Sequence, residues 1–325
     1  MLEGGDLAAK MLSRTDRVTA VIVTYNRPAL LRRCVTSVLQ QTHAVFRIIV
    51  IDNNGADDAR AALSHIEDER LRIIRLPHNI GGAGGFHIGV EVALASGADA
   101  IWLMDDDGFA SPECLGAQLS HSEKNMLDVS NPLVLDEEAQ DRLSSSLKSP
   151  AGNTITSRQE AQAFDIIGNE ISPFNGTLFT TGVIARIGNI DYTFFMWGDE
   201  IDFVRRVRRA GLKMATVTAA VFYHPRQRST YARVPLIGAM PLVRGERGGF
   251  FVRNRVLLTR RYRGVLPALF EVIGFALVWA FAINLRSGFS ALRYGLDTFT
   301  GRKLAPAADH LRAQMETCKR SQALE

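Results

Sequence analysis

Cysteine is scarce in this 325-residue chain: Cys34, Cys114 and Cys318 stand far apart, with none of the spacings that bind zinc. That argues against a disulfide framework and a structural zinc site, and reduced thiols are the expectation. Residues 1–17 lack the apolar core of a secretory leader, so the protein is expected on the cytosolic side. No block of consecutive Lys and Arg offers an arm for nucleic acid. The dinucleotide fingerprint G-x-G-x-x-G is also missing, because counting from Gly82 and Gly84 the sixth position is His87. One long apolar stretch, 265–285, is broken by Pro267, Glu271 and Asn284. Its uninterrupted core, 272–283, falls short of the ~18 residues that span a bilayer.

What remains is enough to build a sizeable core, since 46% of the residues are hydrophobic. Charge is unevenly spread: residues 1–225 carry a net −7 and residues 226–325 a net +11. Basic and apolar residues interleave in the second part, which suits an anionic membrane surface better than nucleic acid. A helix over 265–285, lying in the membrane interface between Arg260, Arg261, Arg263 and Arg286, is one reading of that stretch. A buried core helix or an oligomer contact is the other.

The first hundred residues alternate between two patterns. Residues 18–23, 46–51, 71–76 and 101–104 are short apolar runs of the kind buried on both faces of a parallel sheet. Between them lie a helix opened by Pro28, with Leu30, Leu31, Cys34, Val35, Val38 and Leu39 on one face, a second near 57–65, and a third over 88–96. Ser111 and Pro112 suit the start of a fourth helix, and residues 136–170 read as an excursion or a lid. The fold class is therefore α/β, a mainly parallel Rossmann-like sheet flanked by helices. The expected division is a tail at 1–16, the α/β domain at 17–230 and a basic, mostly helical, membrane-associating extension at 231–325.

Polar clusters sit where the apolar runs end, and ligands of such sheets bind outside the carboxyl ends of the strands. They are Thr24 with Asn26, Asp52 with Asn53, Asn79 with the glycines at 81–85, and Asp105-Asp106-Asp107. In extended backbone Asp105 and Asp107 share a face while Asp106 points elsewhere. Two carboxylates so close repel each other, and a divalent cation relieves both repulsion and desolvation. A solvated acidic turn is the plain alternative. His224, at the end of the apolar run 217–223, is a candidate third ligand. The glycines let main-chain N–H groups approach a phosphate, or form only a flexible turn. A second acidic cluster, Asp199, Glu200 and Asp202 after Trp197, opens an arginine-rich helix that ends at Gly211. Acids there favour the helix dipole, or one of them is a general base for an incoming hydroxyl. Trp197 and Asp202 are the candidates for the acceptor side.

Taken in order, 24–27, Asp52-Asn53, Asn79 with the glycines, 105–107, 197–202 and His224 resemble family 2 glycosyltransferases of the GT-A fold. Residues 79–86, 102–108, 174–176 and 198–200, with Tyr262 and 253–255, are similar to bacterial galactofuranosyltransferases of the type that initiates mycobacterial galactan. The resemblance covers 18–263. It implies inverting transfer from UDP-galactofuranose to a hydroxyl of a lipid-linked glycan, with Mn²⁺ or Mg²⁺, at the cytoplasmic face of the plasma membrane. It implies metal ligation by Asp105, Asp107 and His224, and uracil recognition by Asp52 beside Asn53. Thr24, Asn26, Arg27 and Asp106 fall on the nucleotide side, and Asn79 and Gly82 near the diphosphate. The base position falls on Glu200, with Asp199 as the competing choice. Another donor such as dTDP-rhamnose, a nicotinamide-dependent oxidoreductase and a non-catalytic assembly partner are the competing functions.

Overall fold

A computed structural model describes residues 12–226, 231–234, 238–243 and 246–300. Cys318, most of the N-terminal tail and the chain after 300 lie outside the described residues. The strands and helices are, in order, β1 (Val18–Thr24), α1 (Pro28–Leu39), β2 (Arg47–Asp52), α2 (Ala59–Ala62), β3 (Leu71–Arg75), α3 (Gly81–Ala95), β4 (Ala100–Asp105), β5 (Phe109–Ala110) and α4 (Cys114–Asn125). There follow β6 (Val129–Asp136), β7 (Arg142–Lys148), β8 (Thr154–Ser157), α5 (Arg158–Gln162), β9 (Ile166–Gly168), β10 (Asn175–Thr180), α6 (Thr181–Ile187), α7 (Asp199–Arg209) and β11 (Met214–His224). A small ribbon, β12 (Tyr231–Val234) and β13 (Gly238–Pro241), leads to α8 (Glu246–Arg263), α9 (Val265–Ala282) and α10 (Leu285–Thr300).

β1 is buried along its whole length because parallel neighbours flank it, β2 on one side and β4 on the other. Its register sets Thr24 opposite Asp52 and Val23 opposite Asp105, so the polar ends of three strands finish at one level. The sheet runs β3-β2-β1-β4-β10-β6-β11-β5, and it is mixed. β10 enters antiparallel between β4 and β6, with a bulge at Asn175 to Thr177. β5 pairs antiparallel with β11 through Tyr223 and Phe109, which returns His224 to the side of the aspartates more than a hundred residues upstream. One core lies between the sheet and α1 with α4; the other holds α3, α6 and α7, with Phe86, Phe174, Phe179 and Phe203 packed ring to ring.

Several boundaries differ from those the sequence suggests. α3 starts at Gly81, seven residues before the expected helix, so the glycines are its first turn rather than a loop. Asn79 starts that turn by accepting the Gly81 N–H at 2.8 Å. α2 is a single turn over 59–62. α4 begins at Cys114, whose N–H is taken by the Ser111 carbonyl, so Ser111 and Pro112 form the turn before the helix and not its cap. Residues 136–170 form an ordered excursion from the sheet: β7 and β8 pair, β9 adds to β11, and α5 with its Ser157/Glu160 capping box closes a small core shared with Leu133, Leu135 and Val221.

α8 is packed onto the α/β body, with Leu258 buried against Ala83 and Phe194. α9 buries Ala268, Val272, Phe275 and Trp279 against α8 and α10, and leaves Leu266, Phe270, Ile273, Leu277 and Phe281 exposed. Among the described residues it is the one helix long and apolar enough to cross a membrane, by length and composition alone.

Candidate active site

The three aspartates leave β4 at the carboxyl edge of the sheet. Asp106 turns inward and is nearly fully buried, accepting from Thr24 Oγ1 at 2.6 Å and from Arg27 Nη1 at 3.0 Å. The same Arg27 nitrogen reaches Asp107 Oδ2 at 2.7 Å. Thr24, Arg27 and Asp106 are thus one knot that fixes the turn. Burial raises the Asp106 pKa against the pull of Thr24 and Arg27.

On the outer side, His224 Nε2 stands 3.1 Å from Asp107 Oδ1. Burial, then the charges of Asp107 and Asp106, push Asp105 well above the carboxylate range. Burial acts in the same sense on Asp107, but His224 and Arg27 outweigh it and hold Asp107 below its ordinary value. For His224 burial lowers the pKa, and Asp107 with Asp105 more than restores it. Asp107 Oδ1 is buried, and its close polar neighbour is the His224 imidazole at 3.1 Å. A buried carboxylate oxygen facing an imidazole offers the oxygen and nitrogen ligands that a divalent cation takes. Among the described residues no three His, Cys, Asp or Glu side chains form a ligand set as they stand. Asp107 and His224 are brought together, and Asp105 adds charge beside them.

β2 ends differently from the expectation. The Asp52 carboxylate is 1% exposed and is taken by the N–H groups of Gly55 and Ala59 and by Arg75 Nη1 at 2.9 Å. It builds the turn after β2, with Oδ2 shared by the Ala59 N–H and Arg75 and Oδ1 taking only the 3.4 Å contact from Gly55. Asn53 is spent likewise: its Nδ2 donates to the Gly81 carbonyl at 2.8 Å and its Oδ1 accepts from Ile80 N at 3.0 Å, fastening β2 to the start of α3. Asn26, with φ +55°, accepts the Asp57 N–H at 3.2 Å and lies exposed. Gly82, in the first turn of α3, faces open space, and a side chain would meet nothing within 4 Å there. A helix N-terminus with that clearance has room for an anion.

The second acidic cluster arrives at the same place through a strained loop. Phe195, Trp197 and Gly198 have φ of +64°, +60° and +97°, the left-handed region that costs non-glycine residues free energy. The Phe195 carbonyl accepts the Ala83 N–H at 3.1 Å, laying the loop on the first turn of α3. Gly81, at φ +76°, is required there because a Cβ would collide with that carbonyl. Side chains from α8 hold the loop down. Asn254, 1% exposed, donates from Nδ2 to the carbonyls of Phe194, Met196 and Trp197 at 2.8, 2.7 and 2.9 Å. Arg253 adds a hydrogen bond to the Thr193 carbonyl at 2.7 Å.

The loop delivers Asp199 and Glu200 to the first turn of α7. Asp199 is buried, and desolvation together with the charge and hydrogen bond of Glu200 pushes its pKa well up. The fold favours the acid form of Asp199. Glu200 is half-buried, and its Oε2 accepts the Gly198 N–H at 2.8 Å. Asp202 is fully buried, so the expectation that it meets the acceptor is corrected: it binds Arg206 Nε at 2.7 Å, Arg261 Nη1 at 2.6 Å and Tyr262 OH at 2.8 Å, locking α7 to α8. Trp197 is half-buried, with its ring edge-on to Phe251. Sequence reasoning placed Arg253, Asn254 and Tyr262 in the family resemblance and Arg261 beside the membrane helix, and gave none of them a contact with the loop or with Asp202.

The arrangement is that of a nucleotide-sugar transferase of GT-A type. Among solved structures, GalNAc-T7 with UDP, GalNAc and Mn²⁺ superposes with a TM-score of 0.57 at 13% identity, covering 96% of this chain and 58% of that one, which shows the fold. The pattern of glycosyl transferase family 2 matches residues 19–178. The galactofuranosyltransferase GlfT1 of Mycobacterium tuberculosis is 34% identical over 218 residues, 65% of this chain and 71% of that protein. GlfT1 of Mycolicibacterium smegmatis is 32% identical over 220 residues, 66% of this chain and 72% of that protein. The chain belongs to glycosyltransferase family 2 and is a glycosyltransferase.

Proposed function

We propose that this glycosyltransferase moves galactofuranose from UDP-galactofuranose to a hydroxyl of a lipid-linked glycan, with inversion at the anomeric carbon. The observation that carries the mechanism is the hydrogen bond from Ala83 N to the Phe195 carbonyl. It fixes the loop bearing Glu200 against the first turn of α3, so a base and an anion seat stand side by side. The choice of sugar is supported by the similarity to GlfT1 across two thirds of the chain.

In this reading the donor diphosphate lies at Gly82 and the N-terminus of α3, with Asn79 shaping the turn. Glu200 takes the proton of the acceptor hydroxyl as its oxygen bonds to the anomeric carbon. The bond from that carbon to the diphosphate oxygen breaks on the opposite face, and UDP leaves with the electron pair. Asp199, neutral and hydrogen-bonded to Glu200, keeps that carboxylate in place without competing for the proton. Trp197 offers its ring to the acceptor. Mn²⁺ or Mg²⁺, held by Asp107 and His224 with Asp105, would neutralise the charge that grows on the leaving diphosphate.

An exposed apolar face on α9, next to Arg260, Arg263 and Arg286, supports seating at the cytoplasmic surface of the plasma membrane, where a lipid-linked acceptor resides. The test is UDP release from a panel of UDP- and dTDP-sugars, with Mn²⁺ or EDTA and a lipid-linked glycan extract. Release from UDP-galactofuranose alone, lost with EDTA, is the expected result. Release from dTDP-rhamnose instead would keep the family and overturn the donor.

A further inference from the structure

Arginine is crowded where the end of α8 meets α7. Arg205 and Arg209, one turn apart on α7, bring their guanidinium carbons to 4.8 and 4.4 Å from the centre of the Tyr262 ring. Arg263 follows on α8, and its charge and that of Arg255 reach Arg205. Burial, and next the charge of Arg263, lower the Arg205 pKa, as expected where like charges gather. Of the nearby acids, Asp202 is engaged by Arg206 and Arg261, and Glu271 by Arg255 through Oε1 at 2.8 Å, with its buried Oε2 unpaired. Among the described residues no acidic side chain forms an ion pair with Arg205, Arg209 or Arg263. Arg205 Nη1 is buried with no acceptor at all.

A helix C-terminus favours basic residues, and that accounts for part of the crowding. It does not account for a buried guanidinium N–H left unpaired, which costs free energy until an acceptor arrives. The ligand that satisfies it is an anion with several acceptor oxygens. The second half of its chemistry is adjacent in the chain. Past Gly264, α9 opens with Val265, Leu266 and Phe270, all exposed. Oxygen-rich anion and apolar chain, side by side, describe a phosphorylated lipid.

We propose that Arg205, Arg209 and Arg263, gathered around Tyr262 beside the exposed start of α9, bind the phosphate or diphosphate of the lipid carrier of the acceptor. The inference rests on the transferase reading and names the part of the acceptor held away from the chemistry. Arg205 is five residues past Glu200, about 7.5 Å further along the helix axis.

Binding of farnesyl diphosphate to the full chain tests this, with inorganic diphosphate, farnesol and UDP measured on the same preparation. The expected result is that farnesyl diphosphate binds more tightly than either fragment and is not displaced by saturating UDP. Its affinity falls about tenfold or more in Arg205→Gln/Arg263→Gln, the loss of charge-assisted hydrogen bonds. It is unchanged in Arg286→Gln/Arg293→Gln, which removes the same charge from α10. UDP affinity is the same in all three proteins. Displacement by UDP, or equal weakening in both double variants, overturns the site. Sedimentation with phosphatidylglycerol vesicles separates the sources: if only that binding is lost in Arg205→Gln/Arg263→Gln, bulk headgroups occupy the cluster and the carrier assignment is wrong. Failure of UDP itself to bind would instead overturn the transferase reading.

Discussion

Asn254 donates from Nδ2 to the Trp197 carbonyl at 2.9 Å, which ties the C-terminal helical region to the residue three places before Glu200. The same amide nitrogen serves the carbonyls of Phe194 and Met196, so one side chain restrains a loop with two non-glycine residues at positive φ. The loop before Glu200 is therefore held by α8, outside the matched residues 19–178.

Asn254→Ala is expected to leave up to three carbonyls without their donor, at a cost of about 1–3 kcal/mol for each that stays buried. The loop then relaxes, and a shift of about 1 Å in the base lowers turnover roughly 100-fold. The KM for donor should change less than turnover, because Asn53 and Asn79 still hold the start of α3 when the Phe195 contact to Ala83 is loosened. Steady-state kinetics on soluble, folded variant protein separates the two parameters.

Glu200→Gln removes the base and should cost about 10²–10⁴ in turnover. Asp199→Asn should retain much more, since an amide mimics a carboxyl that is already neutral. Parallel single-turnover rates for the two variants assign the roles, and equal losses would contradict the assignment.

The raised pKa of Asp199 also fixes a sign in stability. The folded state holds that proton more tightly than the unfolded chain does. Its stabilising contribution is complete below the unfolded value of about 4 and is lost as pH rises through the elevated folded value. Wild type should thus lose stability with rising pH relative to Asp199→Asn. Urea midpoints for both proteins across that window provide the check.

Asp202→Ala strands Arg206 and Arg261 beside a buried hole, and removal of one partner from a buried ion pair typically costs about 3–5 kcal/mol. Denaturant unfolding should show this loss directly.

UDP with Mn²⁺ should raise the melting temperature more than UDP with EDTA. Asp107→Ala should abolish the difference while retaining the metal-free shift. An equal metal effect in the variant would remove Asp107 from the ligand set.

β1, β2 and β4 were legible because a strand buried on both faces is a bare apolar run, and the polar cluster after each one marks its carboxyl end, whereas β3 is a half-buried edge strand. The insertion of antiparallel β10 was not, since its neighbours are set by pairing with Met104 and Ser130, far away in the chain. Glycine obscured the start of α3, where low helix propensity is offset by burial under Phe195. At the site, Asp107 and His224 could be paired from their strand ends. Asp52, Asn53 and Asp202 have the residue types of ligand-binding groups, but partners at Arg75, Gly81 and Arg261 occupy them. Asn254 left only a polar letter in a helix, and its work is visible only through three carbonyls about sixty positions earlier.

The most direct test of a single displacement with Glu200 as base is the anomeric configuration of the transferred sugar, read by NMR of the product made from UDP-galactofuranose. The proposed mechanism, with one base acting across the anomeric carbon from the leaving diphosphate, predicts inversion relative to the donor. A product that retains the donor configuration would contradict it and require a second displacement for which no residue has been assigned.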